Sequence, residues 1–554
     1  MITLFNIIVV GLILLIAYWW ANQGLFSSIL HCLCVIAAGA LALAFWEPIV
    51  TEFFLKGNGF DNYAWGLTLG GLFVAFLFGF RLIADRLAPN NVKFPEMVNN
   101  IIGGAVGLWA GTLTMGMAMM ACGFIQGPIE IMGHVGWARA GEANGAPTSL
   151  GELWVPAARI TEQFYAMLSR GALSPLRSTA LADYYPRLAD TALSLHRDTY
   201  FDGDGRSTIP PDSFTLGAVT SDKSFRATDD STGAYAVEFT VDSGAFDGGE
   251  QFILSAAQAR LISGGKRPEV VFPVQFNQPT EGGMRGTYKF DDMSNYATSV
   301  PGEQDARIVL VFPGFADASA APRFLQIKGL RFALPASADG DVASILGTTE
   351  ETDTAPQDIT SPEGGFVNDV SNLIAVRNSI MPAQLNTNIL APMTHATTTA
   401  GAHLITGGTG VYRKGAQMSV SRSQRIRGFF STIGTEIVLV DASRLEDGID
   451  IYGEGSPAFK ALGTDLPLEL VDSRGKGYKP VGWVWERTGD VELHFDPAHP
   501  VQRISDFPRQ PSSGEHKLKL VFVIPTNVEL TGVRMGKTII GRCSVSVREG
   551  GPTD

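Results

Sequence analysis

The chain has 554 residues, 45% of them apolar, and a formal charge of −13. That length allows several domains of ~100–200 residues each. The acidic balance argues against a nucleic-acid partner, which is met by a basic patch, and four cysteines, three of them in apolar stretches, form no disulfide framework.

Residues 1–130 carry only ten charged side chains, among them Glu47, Glu52, Asp61, Arg81, Asp85, Arg86 and Lys93. Four apolar stretches lie between them, at about Ile2–Ala21, Leu25–Trp46, Tyr63–Ala84 and Ile101–Gln126. As helices they are of a length to cross a hydrocarbon core of roughly 30 Å. The first has no basic lead and ends in Tyr18, Trp19 and Trp20, so it reads as a retained span with an interfacial aromatic end rather than a cleaved signal peptide. In the fourth, Gly103, Gly107 and Gly111 repeat every four residues along one helix face. Gly66 with Gly70, and Gly71 with Ala75 and Gly79, repeat the pattern in the third. Side-chain-free positions at this spacing let helices approach closely inside lipid. The expected partners are therefore the lipid bilayer and, through the glycine faces, a second copy or another membrane protein.

The loop holding Glu47, Glu52 and Asp61 is acidic, whereas Arg81, Arg86 and Lys93 cluster around the third loop. The positive-inside rule places the third loop in the cytoplasm. The amino terminus and everything after Gln126 are then expected on the extracytoplasmic side of the cell (inner) membrane.

Residues 131–211 read as a juxtamembrane helical connector. Ile160, Phe164, Met167 and Leu168 recur at helical spacing within Leu153–Leu173, and Leu181–His196 is a second candidate helix. An amphipathic helix here either rests on the membrane surface or packs on the next domain. From about Pro211 the period becomes two: Tyr235, Val237, Phe239 and Val241 alternate with small or polar residues, and further strand-like runs follow between Gly and Pro punctuation. That is the pattern of an antiparallel sandwich or barrel. It returns near the end of the chain. Ala259–Phe276 parallels Leu468–Trp485, each a strand, a Gly/Lys turn and a strand with aromatics, and Arg307–Pro313 parallels Lys519–Pro525. Two related β-sandwich-like domains are expected, at 212–336 and 426–554. A flexible or partly ordered linker, 337–425, separates them; it includes the nearly apolar-free Thr348–Gly365.

Several local patterns imitate chemical sites. Gly532 to Thr538 ends in Gly-Lys-Thr but has three residues between its glycines where a phosphate loop needs four, and it sits in strand-like sequence. Asp202-Gly-Asp204-Gly205 lacks the later ligands of a calcium loop and reads as a polar turn. His494, Asp496 and His499 are flanked by prolines that suggest a turn, and no further metal ligand is evident. His31 beside Cys32 and Cys34 invites a metal reading, but successive helical residues diverge by about 100°, so small buried thiols are expected. His395 and His403 have no obvious acid partner. Arg81 and Asp85, four apart, suit a pair on one helix face. No catalytic, cofactor-binding or metal residue is predicted.

The layout of the first 130 residues resembles the CvpA family, named for colicin V production. Four apolar segments lie in a short span, a tiny first loop contains Gln23-Gly24, and Pro95 to Gly111 leads into the last helix through a glycine repeat. The resemblance covers under a third of the chain, and the β-rich remainder lies outside it. The family usually has an acidic residue early in its first helix, where this chain has Asn6. It often has an Asp-Arg pair before its last helix, where this chain has Val98-Asn99. The resemblance implies a multi-pass, non-enzymatic membrane protein tied to colicin V-type toxin production or export, or to envelope maintenance. A small channel or transporter subunit gated by its outer domains is the alternative, and a membrane-anchored hydrolase a weaker one.

Overall fold

In the computed structural model the four apolar stretches are helices long and apolar enough to cross a membrane. They are α1 (Ile2–Gln23), α2 (Leu25–Ile49), α3 (Asp61–Leu87) and α4 (Glu96–Gly123). The structure describes residues 1–57, 59–88, 92, 94–125, 132–134, 137–139, 147–149, 153–174, 179–197, 206–247, 251–265, 267–290, 295–347, 369–377, 396–397, 403–406, 408–413, 428–430, 434–443, 448–449, 451, 466–509 and 516–548. The expected Thr348–Gly365 loop, the Asp202–Gly205 turn and His395 lie outside them. Large apolar side chains on the outer faces of the helices, such as Leu15, Leu33, Val74 and Phe78, are more than half exposed, as suits helices whose surroundings are themselves apolar.

The α1–α2 turn is made at Gly24, whose φ of 91° is open to glycine. Asn99 on α4 pins it by accepting the Leu25 N–H at 3.0 Å. From there α1 runs along the glycine face of α4. A Cβ at Gly107 would stand 3.0 Å from the Ala17 backbone, and one at Gly111 would stand 2.9 Å from the Ile13 carbonyl oxygen. Gly103 faces Leu25 at 3.4 Å. On α3, a Cβ at Gly66 would overlap the Ala121 carbonyl of α4, and Gly70 meets the Ala121 side chain. Gly71 and Gly79 are different: among the described residues nothing lies within 4 Å of a Cβ at either. They point away from the bundle, so they are not notches for a helix of this chain.

Two further glycines admit the connector. Its helix α5 (Ala157–Arg170) is shorter than the expected Leu153–Leu173 because Pro156 starts it and Gly171 ends it. It wedges onto α2 and α4: a Cβ at Gly116 would clash with Thr161, and one at Gly39 with the Tyr165 hydroxyl. Tyr165 donates its hydroxyl proton to the Val35 carbonyl oxygen of α2 at 3.0 Å. The second expected helix is split into α6 (Leu181–Tyr184) and α7 (Leu188–Arg197). Pro186 between them has no N–H to donate and clashes with the preceding turn, which disfavours an unbroken helix there.

Two β regions follow with the same plan. In the first, a six-stranded sheet has the order Ala338–Asp339, Phe214–Asp222, Ala234–Asp242, Asp305–Pro313, Gln275–Thr280, Met284–Lys289. Facing it is a four-stranded sheet ordered Leu330–Ala333, Pro322–Ile327, Ala259–Ser263, Val270–Val271. In the second, the six-stranded order is Ile374–Arg377, Thr435–Asp441, Lys517–Pro525, Gly482–Glu486, Asp490–Phe495, Gly408–Arg413. Its four-stranded sheet runs Thr538–Val547, Val528–Met535, Leu468–Asp472, Gly477–Tyr478. The two orders superpose apart from one extra edge strand in each six-stranded sheet. Ala259–Phe276 and Leu468–Trp485 hold equivalent places, as do Arg307–Pro313 and Lys519–Pro525. Gly532–Thr538 belongs to a hairpin of the second region, turning at Gly536 with φ 60°.

The stretch 337–425 is more than a linker. It supplies the Ile374–Arg377 and Gly408–Arg413 edge strands of the second region, and the Ala338–Asp339 strand and the Val342–Gly347 helix of the first. An edge strand pairs on one side only, so it can be short and polar, and its alternation is weak.

Candidate functional site

The site is the junction where the first β region meets the helix ends opposite Arg81. Three ion pairs are gathered there. Asp61, at the start of α3, is 1% exposed. It accepts the N–H groups of Lys56 and Gly57 at 3.2 and 2.8 Å and faces Arg206 at 3.3 Å. The Arg206 N–H in turn is donated to Asp247 at 2.7 Å. Asp247 also faces Lys328 at 3.7 Å, and the Lys328 side chain is fully buried over the Phe252 ring. Burial pulls the Lys328 ammonium down to about 8 and pushes the Asp247 carboxyl up. The remaining pair joins Glu47 of α2 to Arg331 of the first β region at 2.9 Å. The Arg331 guanidinium lies 4.3 Å from the Tyr184 ring centre and 4.9 Å from that of Phe324. A planar cation held between aromatic faces keeps a fixed orientation.

Beneath the charges sits an aromatic cluster. Trp46 packs edge-on to Trp65 with centroids 5.1 Å apart, and against Phe124 and Tyr185 at 4.9 and 5.7 Å. All four rings are buried. The turn at Lys328 and Gly329 reaches down onto Trp65, and a Cβ at Gly329 would stand 3.1 Å from the indole nitrogen. The Gly329 φ of 81° favours glycine as well. Arg260, also buried, bonds the Thr191 hydroxyl of α7. One apolar core therefore runs without interruption from Val35 and Trp46 through Phe124, Tyr185 and Ile209 to Phe239, Ile327 and Leu330. The second β region has a separate core, built on Val438, Leu470, Leu520, Phe522 and Val533.

No sequence signal joins these junction residues to one another. Glu47 and Arg331 are 284 positions apart, and Asp61 reads as an ordinary loop acid. Gly39 and Gly116 lack the four-residue spacing of the other glycines. Asn6 is buried, and its side-chain oxygen accepts the Trp154 N–H at 2.8 Å, fastening the connector to α1.

The patterns that imitate sites resolve as structure. Arg81 pairs with Asp85 at 2.7 Å and lies over Trp20, on which His31 also stacks. Cys32 and Cys34 are buried thiols. His494 stacks on Trp483, while His499 contacts Asp496 at 3.2 Å in an exposed turn. Among the described residues no three His, Cys, Asp or Glu side chains gather as metal ligands. In comparisons with protein-family models, curated proteins and solved structures, nothing matches the chain.

Proposed function

We propose that this is a non-enzymatic integral membrane protein of the cell envelope, resembling the CvpA family, that holds its β regions at the extracytoplasmic face as a binding scaffold. The observation that carries the reading is the shared core. A domain on a loose tether samples many heights above a membrane; one whose core continues into the spanning helices is held at a single height and orientation. Such a platform suits a protein that positions a partner or envelope material. The family's implied range, colicin V-type toxin production or export and envelope maintenance, fits that role. The open Gly71–Ala75–Gly79 face on α3 suits a neighbouring helix, from a second copy or another membrane protein.

Two measurements test the reading. The full chain should sediment with membranes, and a periplasm-dependent reporter fused after Asp554 should be active. A chain that stays in the supernatant without detergent, or a silent fusion at normal expression, defeats it. Gly79→Leu should weaken crosslinking between copies, or to a membrane partner, while leaving the fold intact; unchanged crosslinking removes the proposed role of that face.

A further inference from the structure

On the flank of the junction a cleft of about 490 Å³ opens between α2, α5 and the first β region. That volume falls within the ~300–1,000 Å³ of sites that enclose small molecules. Its floor is mainly apolar, made by Ala40, Leu43 and Ala44 of α2 with Leu168 of α5, and the hydroxyls of Tyr165 and Ser169 beside them are bonded to the Val35 and Ala166 carbonyls. Its roof is polar and aromatic, made by Glu47, Tyr184, Phe324 and Arg331. Ala40 and Glu47 are seven helical residues apart, so floor and roof are separated by ~10 Å along α2 at 1.5 Å per residue. The floor lies within the apolar span and the roof at its end. Leu173, at the lip, is 49% exposed. The hollow exists because α2 presents alanines where larger side chains would fill it.

This gradient is that of an amphiphile standing upright in a leaflet. The charges at the roof set its headgroup. Arg331 spends one amino group on Glu47, and its buried Nε meets no acceptor. Exposed Arg323 stands beside the cleft, its guanidinium 5.1 Å from the centre of the Phe324 ring and donating at 3.0 Å to Thr179, which also lines the cleft. Two guanidinium groups against one carboxylate leave an excess of positive charge, and guanidinium forks match phosphate oxygens. We propose that the cleft takes one anionic membrane phospholipid, with an acyl chain along Ala40–Ala44 and its phosphate at Arg331 and Arg323. The proposal rests on the membrane reading above. A chain that sediments with membranes yet shows no lipid preference would defeat the cleft alone.

The test uses the full chain purified in a neutral detergent, titrated with phosphatidylglycerol, phosphatidylcholine or inorganic phosphate. It is read by native mass spectrometry and by thermal unfolding. One phosphatidylglycerol per chain should survive desolvation and raise Tm, because a ligand of the folded state stabilises it. Phosphatidylcholine should bind at least tenfold more weakly and phosphate alone should do nothing. Ala44→Trp fills the floor and should abolish retention. Arg323→Gln, an exposed change that leaves the Glu47–Arg331 pair in place, should weaken phosphatidylglycerol about tenfold at unchanged lipid-free Tm. Equal retention of both lipids marks a non-specific annulus and overturns the proposal, as does an equal shift by phosphate alone, which marks a free-anion site. Should Ala44→Trp fail to fold, Arg323→Gln decides: unchanged affinity in that variant overturns the proposal.

Discussion

The two β regions share a strand order but not a relationship to the helices. The first continues the core of the bundle through Trp46, Trp65 and Tyr185 and is fastened to α2 by the Glu47–Arg331 pair, while Asp61–Arg206 ties α3 to the segment that leads into it. The second closes its own core, and touches the first through small contacts such as Tyr478 against Gly282 and Ala498 against Gly302. One plan has thus been used twice, once continuous with the helical bundle and once as a module with a core of its own. What separates the two uses is not the sheets but the loop tips: Lys328-Gly329 in the first region descends onto Trp65.

That contrast can be broken or sharpened by experiment. The largest expected effect is Trp46→Ala, which empties a fully buried site in the shared core and should cost about 3–5 kcal/mol. Limited proteolysis should then cut both the helical connector and the first β region while sparing the second. Phe522→Ala, of similar cost in the other core, should expose only the second. If the two variants give the same cleavage pattern, the distinction fails. Next is Glu47→Ala, which strands Arg331. Both partners of that pair retain some exposure, so a loss of about 2 kcal/mol is expected rather than the full 3–5 of a buried pair, and Glu47→Gln should recover part of it.

Smaller is a pH effect in the connector. Burial raises the Glu162 carboxyl from its usual value near 4.5 to about 7, although it accepts the Ala189 N–H at 3.0 Å. The folded state thus prefers the protonated acid, so its contribution is complete below about 4.5 and lost as pH rises through about 7. Glu162→Gln should raise Tm at pH 8 and leave it little changed at pH 5; a variant with an unaltered pH profile would discount the effect. The smallest is Tyr165→Phe, which removes one hydrogen bond to Val35 worth about 1 kcal/mol and should ease cleavage at α5 before any other place.

Much of this architecture can be read from the chain because each part announces itself by period. Four apolar stretches give four helices, the Gly103–Gly111 row marks where α1 lies, and the paired segments at 259 and 468 mark equivalent strands. Gly71 and Gly79 carry the same spacing yet face outward, since spacing fixes a shared face but not which neighbour it meets. The Gly408–Arg413 strand hides in Thr- and Gly-rich sequence because an edge needs little apolar alternation. The junction is silent for another reason. Its contacts join residues hundreds of positions apart, and a lone Glu47 or Lys328 looks like any surface charge until the fold encloses it.

The continuity of the first core has a practical corollary for dissecting the protein. Cutting the polypeptide after the fourth helix would leave Ile209, Phe214 and Leu330 without the helix side of the core they share, and the released piece should clump. A scissile point near residue 369 instead leaves each side with a complete interior. The carboxyl-terminal piece is then the one to prepare in water for ligand screening, and the amino-terminal piece belongs in detergent or nanodiscs as a single unit.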